Sequence, residues 1–280
     1  MLSLRADSGL FNRAVLLDCV QMNGMTANLF SVRERTALVT GASDGLGRNF
    51  ALALAQAGAN VIVAARRIDR LNRLVNDIQA AGGQALAVSM DVSQPASVQQ
   101  AFAYLDAQRW RADILVNNAG LGLQTRWLDT QESDWERLLQ TNLLGADRVA
   151  RAFCQRLIDV GQPGTVIHVS SVLGLTSQAI TAAYGSSKAA LIHLTKKMAV
   201  ELARHNITVN CIAPGMFRTA MVDEFARSPR GEAYLKMNLS RRVGEPEELV
   251  GTLLYLASPA AAYVNGVVIP VDGGNHLRGY

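Results

Sequence analysis

Residues 164–171 read Gly-Thr-Val-Ile-His-Val-Ser-Ser, and after a short loop residues 184–188 read Tyr-Gly-Ser-Ser-Lys. Residues 165–169 form a β-branched run, the pattern of a buried strand. From Ala182 the chain reads as a long helix carrying Ala189, Ala190, Leu191, Leu194, Met198, Leu202 and Ala203. Tyr184 and Lys188 stand four residues apart, so a helix places them on one face. Ser171 closes the strand thirteen residues earlier. A strand end facing a helix start brings a hydroxyl, a phenol and an ammonium together.

That trio suits proton transfer to or from an alcohol or carbonyl oxygen. A free phenol has a pKa of about 10, too high to exchange protons near neutrality. A neighbouring ammonium favours the phenolate and lowers that value, by about 1.4 kcal/mol per unit. A serine hydroxyl can donate to an oxygen on which negative charge develops. Another group must carry the hydride. A tyrosine and a lysine four apart also occur on many surface helices, so the rest of the chain has to decide between chemistry and coincidence.

Toward the N-terminus, residues 36–40 (Thr-Ala-Leu-Val-Thr) read as a first buried strand. It runs into Gly41-Ala-Ser-Asp-Gly45-Leu-Gly47, and a helix continues through Phe50, Leu52, Leu54 and Ala55 to Gly58. A glycine-rich turn between strand and helix offers backbone donors and a helix N-terminus to a phosphate pair. Its spacing, Gly-x3-Gly-x-Gly, is a variant of the dinucleotide fingerprint in the required context. A second strand covers residues 60–65 and should end at the adenosine ribose. An acid there would favour a free 2′-hydroxyl, whereas this chain has Ala65, Arg66 and Arg67. Arginine can pair with a 2′-phosphate, which favours NADP(H) over NAD(H). The plainer reading makes these arginines the start of a basic surface helix that continues through Arg70 and Arg73.

A third strand, residues 84–90, ends in Asp91-Val92, where the carboxylate suits an adenine amino group or the cap of the next helix. A fourth, 113–117, leads into Asn118-Ala119-Gly120, small residues that let a ligand approach. One helix is expected through Trp135, Leu138, Leu139, Leu143, Leu144, Val149 and Phe153, with Asn142 inside it for a polar purpose or simply solvated. A sixth strand, 207–212, ends at Ala213-Pro214-Gly215. Residues 216–242 loosen into a helical insert that suits a substrate lid. A helix over residues 245–256 and a seventh strand over 267–271 close the pattern. Strand and helix alternate throughout, which predicts an α/β class, single-domain Rossmann fold: a doubly wound, seven-stranded parallel sheet with helices on both faces. Ligands then bind beyond the strands' carboxyl ends, where every polar group singled out above falls.

The chain has 280 residues, 49% of them hydrophobic and 18% charged, which suits one large core over residues 31–280. The net charge of +4 comes from dispersed basic residues without a nucleic-acid motif, so no nucleic-acid partner is expected. Cys19, Cys154 and Cys211 show no ligand spacing, nor do the four histidines, so no metal is expected and a reducing, cytoplasmic setting is. No apolar run is long enough for a bilayer. Residues 1–30 stand outside the pattern and are expected to be a flexible extension. Asp7 and Asp18 argue against a secretory signal or a transit peptide there, and Met25 is a second plausible start.

Thr40-Gly-x3-Gly45-x-Gly47, Asn117-Asn-Ala-Gly120, Asn142, Ser171, Tyr184-x3-Lys188 and Pro214-Gly215 together resemble the short-chain dehydrogenase/reductase family, over residues 30–274. The resemblance is closest to its branch of 3-oxoacyl-carrier-protein reductases and gluconate 5-dehydrogenase-like enzymes. It implies that Tyr184 is the general acid/base, that Lys188 lowers its pKa and holds the nicotinamide ribose, and that Ser171 binds the substrate oxygen. Asn142 would hold a water linking Lys188 to solvent. Cofactor contacts would come from Gly41, Ser43, Asp44, Gly45, Leu46 and Gly47, from Arg66 and Arg67, and from Asp91 and Val92. Asn118, Ala119, Gly120, Tyr184, Lys188, Pro214, Gly215, Phe217 and Thr219 would complete them. A homotetramer with the Tyr184 helix in an interface is implied, a dimer being the alternative. Asp44 departs from members that carry a basic residue there.

These readings predict an NADP-dependent oxidoreductase acting on a small carbonyl or alcohol substrate, such as a 3-oxoacyl ketone reductase. An NAD-dependent dehydrogenase of a sugar acid or secondary alcohol is the alternative. A non-catalytic nucleotide-binding protein is a remote third, because it would not need the complete polar set.

Overall fold

Strands that are apolar on both faces need cover on both, and helices between parallel strands supply it. The computed structural model describes residues 29–219, 222, 231, 235 and 238–277. In chain order the elements are β1 (Thr36–Thr40), α1 (Gly45–Gln56), β2 (Asn60–Ala65), α2 (Ile68–Ala80), β3 (Ala85–Ser89), α3 (Pro95–Ala107) and β4 (Ile114–Asn117). There follow α4 (Glu132–Leu139), α5 (Ala146–Asp159), β5 (Gly164–Val169), α6 (Ala182–Leu202), β6 (Ile207–Pro214), α7 (Val250–Ala257) and β7 (Val268–Val271). Among the described residues the strands form one seven-stranded sheet in the order β3-β2-β1-β4-β5-β6-β7. Every neighbouring pair is parallel. The expected α/β single-domain Rossmann architecture is therefore the observed one.

Alternation along each strand divides the core into two layers. Val39, Val61, Val116 and Ile167 face α1, α2 and α7, packing with Phe50, Leu54, Leu71 and Leu253. Leu38, Ile62, Leu115 and Val166 face α3 and α5, packing with Phe102, Phe153 and Leu157. Strand boundaries agree with expectation to within two residues, β6 running on to Pro214.

The helix expected through Trp135 and Phe153 runs unbroken over 132–159, but it is not α-helical throughout. Between α4 and α5 the backbone opens into a π-helical turn over Gln140–Gly145. Asn142 lies in this turn and is fully buried, which settles its environment in favour of a polar purpose. Most of the expected lid, and residues 1–28 of the expected extension, lie outside the described residues.

The strand order reverses between β1 and β4, and a crevice opens where the chain leaves these strands in opposite directions. Thr40, wholly buried at the end of β1, braces that point. Its hydroxyl accepts from the backbone amides of Asn118 and Ala119, both at 3.0 Å, and lies 3.3 Å from Asn117 Oδ1, to which it donates. Replacing Thr40 with Val keeps the shape, strands the Ala119 amide and leaves the Asn118 amide only Val116 O, at 3.1 Å. The variant should lose about 1–3 kcal/mol of unfolding free energy in urea with an unchanged slope. No loss would mean that these amides find other partners.

Candidate active site

The glycine turn after β1 forms one wall of the crevice. Asp44 caps α1, its Oδ1 accepting from the Gly45 amide at 2.9 Å. Gly47 is indispensable to this shape: a Cβ there would lie 2.4 Å from Gly41 O and 2.5 Å from Asn118 Nδ2. The opposite wall is the Asn118-Ala119-Gly120 segment, which Asn118 Nδ2 ties back to Thr40 O at 3.0 Å. Between them runs a cleft of about 630 Å³, lined by Gly41, Ser43, Asp44, Gly45, Leu46, Gly47, Arg66, Arg67, Asp91, Val92, Asn118, Ala119, Gly120 and Thr219. It adjoins a smaller hollow of about 200 Å³, to which Ser171, Tyr184, Lys188, Pro214 and Gly215 contribute. Leu46, Asn118, Gly120 and Leu121 border both.

Asn142 and Phe217 do not line this surface. Asn142 lies beneath it. Phe217, expected among the cofactor contacts, has its ring buried in the core, against Gly244. An aromatic side chain beyond a strand end gains more by burial than by facing an open cleft. Asp91 does not cap α3, whose N-cap is Gln94. Its Oδ1 accepts from the amide (3.0 Å) and hydroxyl (2.7 Å) of Ser93, shaping the loop after β3.

At the ribose end the basic residues divide. Arg70 Nη1 pairs with Asp44 Oδ2 at 2.7 Å, and Arg67 Nη2 donates to Ser43 Oγ at 3.0 Å while lying 3.7 Å from the same carboxylate. Arg66 lines the cleft, and no carboxylate among the described residues pairs with it.

The hollow holds the proton-transfer trio. Ser171 sits just past β5, and its hydroxyl accepts from the Leu173 amide at 3.2 Å. Burial raises the Tyr184 pKa, and the Ser171 hydroxyl facing the phenol opposes the shift. Lys188 is buried and its Nζ donates to Val169 O at 3.0 Å. It lies 5.9 Å from the centre of the Tyr184 ring. Burial brings the Lys188 pKa down to about 8, with Cys211 acting weakly the other way. Ser170 Oγ donates to Lys188 O at 2.9 Å, fastening α6 to the end of β5. Asn142 holds the far side. Its Oδ1 accepts from Leu121 N (2.7 Å), and its Nδ2 donates to Leu121 O (2.9 Å) and Ser187 Oγ (3.0 Å). Ser187 in turn donates to Tyr184 O at 2.7 Å.

Sequence reasoning missed Ser187 and Leu121, although each adjoins a motif residue. It also missed the burial of His168 near the Lys188 charge. Across the sheet Asn117, His168 and Cys211 stand in register on β4, β5 and β6. Among the described residues neither ring nitrogen of the wholly buried His168 has a partner, and burial, then the Lys188 charge, pushes its pKa down to about 3.

A family model of the short chain dehydrogenase matches residues 35–229. The chain belongs to the short-chain dehydrogenase family. It is 37% identical to a 3-oxoacyl-[acyl-carrier-protein] reductase of Synechocystis over 246 residues, 87% of this chain and 98% of that one. To gluconate 5-dehydrogenase of Gluconobacter oxydans it is 34% identical, over 88% and 96% of the two chains. The crystal structure of a gluconate 5-dehydrogenase from Burkholderia cenocepacia, in complex with NADP and tartrate, superposes with a TM-score of 0.87 at 32% identity. That likeness covers 91% of this chain and 100% of the other. This short-chain dehydrogenase is thus an NAD(P)-dependent oxidoreductase acting on alcohol or ketone groups of small molecules. No helix among its described residues is long and apolar enough to cross a membrane.

His168 makes a test of the buried layer possible. Its folded pKa lies below the free value of 6.5, so the unfolded chain binds the extra proton. Stability is therefore full above pH 6.5 and falls as pH drops toward 3. His168→Gln should remove up to about 1.4 kcal/mol per pH unit from the slope of unfolding free energy in that window. Urea titrations at several pH values measure it, and an unchanged slope would show that His168 is not the group responsible.

Proposed function

We propose that this enzyme is an NADP-dependent reductase of ketones, with Tyr184 as the general acid. The observation that supports it most is the position of the trio. Ser171, Tyr184 and Lys188 share the hollow at one end of a cleft whose other end carries Arg66 and no acid at Ala65. The turn fits a dinucleotide because Gly47 leaves it no side chain, so backbone donors reach the phosphates.

The bound cofactor supplies the hydride from its nicotinamide ring. The chain does the rest. Ser171 donates to the substrate carbonyl oxygen and orients it. Tyr184 gives that oxygen its proton, and in the reverse direction takes it back. Lys188, protonated below its pKa of about 8, holds the nicotinamide ribose and favours the phenolate that forms. Asn142 orders a water that returns the proton from solvent. A Cβ on Gly120 would be 3.3 Å from both Asn142 Oδ1 and Lys188 Nζ, a measure of how closely the two groups converge. Arg66 reads the 2′-phosphate. A 3-oxoacyl ketone suits the apolar residues in the sequence of 216–242. We further propose a homotetramer with α6, whose Val200 is exposed, in an interface.

One observation favours a second reading. Asp44 pairs with Arg70 and lies near Arg67, which reduces the positive potential at the ribose. An NAD-dependent dehydrogenase of a sugar acid would need no 2′-phosphate contact.

Titrating the protein with NADPH and NADH separates the readings. At least tenfold tighter NADPH binding is expected, about 1.4 kcal/mol. Arg66→Ala should erase most of that preference, and equal affinities in the unchanged protein would favour the second reading. Tyr184→Phe should bind NADPH as before and turn over at least about a hundredfold more slowly, within the range of acid–base contributions. Retained turnover would remove Tyr184 from its role.

A further inference from the structure

The two ends of the cleft are joined through one side chain that neither end contains. Arg148, on the first turns of α5, directs its guanidinium back across the π-helical turn. Its Nη1 donates to Val92 O (3.3 Å), Ser93 O (3.2 Å) and Gln140 O (3.3 Å), and its Nη2 donates to Gln140 Oε1 at 2.7 Å. Val92 and Ser93 form the loop after β3 that borders the larger cleft. Gln140 opens the π-helical turn.

The same turn presses directly on the loop. A Cβ on Gly145 would lie 2.8 Å from Val92 Cγ2 and 3.0 Å from Val92 O, so no slack remains between them. Where the turn ends, Asn117 Nδ2 donates to Ala146 O at 2.7 Å and fixes the start of α5. Asn142 sits between these two anchors and reaches the other way, to Leu121 and to Ser187 beside Lys188. One short segment thus touches the loop after β3 with its ends and the proton-transfer hollow with its middle.

A π-helical turn also has a discrete alternative. Closing it to an α-helical register shifts the following backbone by one residue, about 100° of rotation around the axis. Asn142 cannot meet both Leu121 and Ser187 after such a rotation. A ligand that packs against Val92 and Ser93 therefore stabilises the register in which Asn142 is correctly aimed, and the coupling must be reciprocal.

We propose that Arg148 is a positioning residue that couples occupancy of the adenine end of the cleft to the placement of Asn142. The inference rests on the reading of the cleft as an NADP site. It makes the π-helical turn a shared part of cofactor binding and proton transfer, with Arg148 as the strap that holds it.

The test uses the full-length protein and two unlinked halves of the cofactor, adenosine 2′-monophosphate and reduced nicotinamide mononucleotide. In the unchanged protein, saturating adenosine 2′-monophosphate should tighten binding of the nicotinamide half by about fivefold or more, read by nicotinamide fluorescence. It should also slow amide exchange over residues 141–145. In Arg148→Met the adenine half should still bind, the enhancement should fall below about twofold, and the slowing should disappear. A merely structural role would lower thermal stability and leave the enhancement intact. Gln140→Ala, which removes only the 2.7 Å bond, gives the same comparison if the methionine variant does not fold. Full enhancement in a folded variant overturns the proposal. No enhancement in the unchanged protein, with NADPH itself bound, overturns it too and leaves the cofactor reading standing. Failure to bind NADPH overturns both.

Discussion

The hydrogen bond from Lys188 Nζ to Val169 O holds an ammonium out of water at the carboxyl end of a parallel sheet, and the surrounding structure is arranged to make that tolerable. A buried ammonium is costly unless polar groups replace its water. Burial takes the Lys188 pKa down to about 8, so the group stays largely charged at neutral pH but can lose its proton. Its main chain is fastened by Ser170, and the residue before it, Ser187, by Asn142 and Tyr184 O. These bonds fix the azimuth of α6. Once that is set, Tyr184, one turn earlier, has to face Ser171.

The same place is where the fold departs from its own preferences. Elsewhere the strands are filled with Val, Ile, Leu and Ala. Toward the carboxyl end of the sheet the residues in register on β4, β5 and β6 are Asn117, His168 and Cys211. Asn142 sits in a π-helical turn, a rarer conformation than the α-helix on either side. Polar burial and an irregular turn are tolerated there because the strand and helix faces around them are conventional apolar layers. At the far end of the cleft the problem is reversed. Arginines crowd one ribose site, and Asp44 neutralises part of their charge without touching Arg66.

Much of this was readable from local pattern. The run at 165–169, the turn from Gly41 to Gly47 and the Tyr184–Lys188 spacing each carry their own geometry, because strand and helix periods dictate which side chains share a face. Asn142 was visible as an anomaly, but the π-helical turn around it was not read from the spacing of Leu138, Leu139, Leu143 and Leu144. Phe217 read as a cofactor contact because it follows Pro214-Gly215, and the structure turns its ring into the core. Arg148 carried no signal, since its four acceptors come from segments up to 56 residues away.

By itself the sequence determined the alternation of strands and helices, hence a parallel sheet covered on both faces, and the chemical types gathered at its carboxyl edge. Those follow from nearest-neighbour rules of periodicity and turn chemistry. The tertiary structure decided which groups meet. It set Asn117, His168 and Cys211 in one register, buried Lys188 against Val169, closed Asn142 onto Leu121 and Ser187, and strapped the loop after β3 to the π-helical turn through Arg148. Such contacts join residues far apart in the chain, and the burial that shifts the Lys188 and His168 pKa values exists only after the layers have packed.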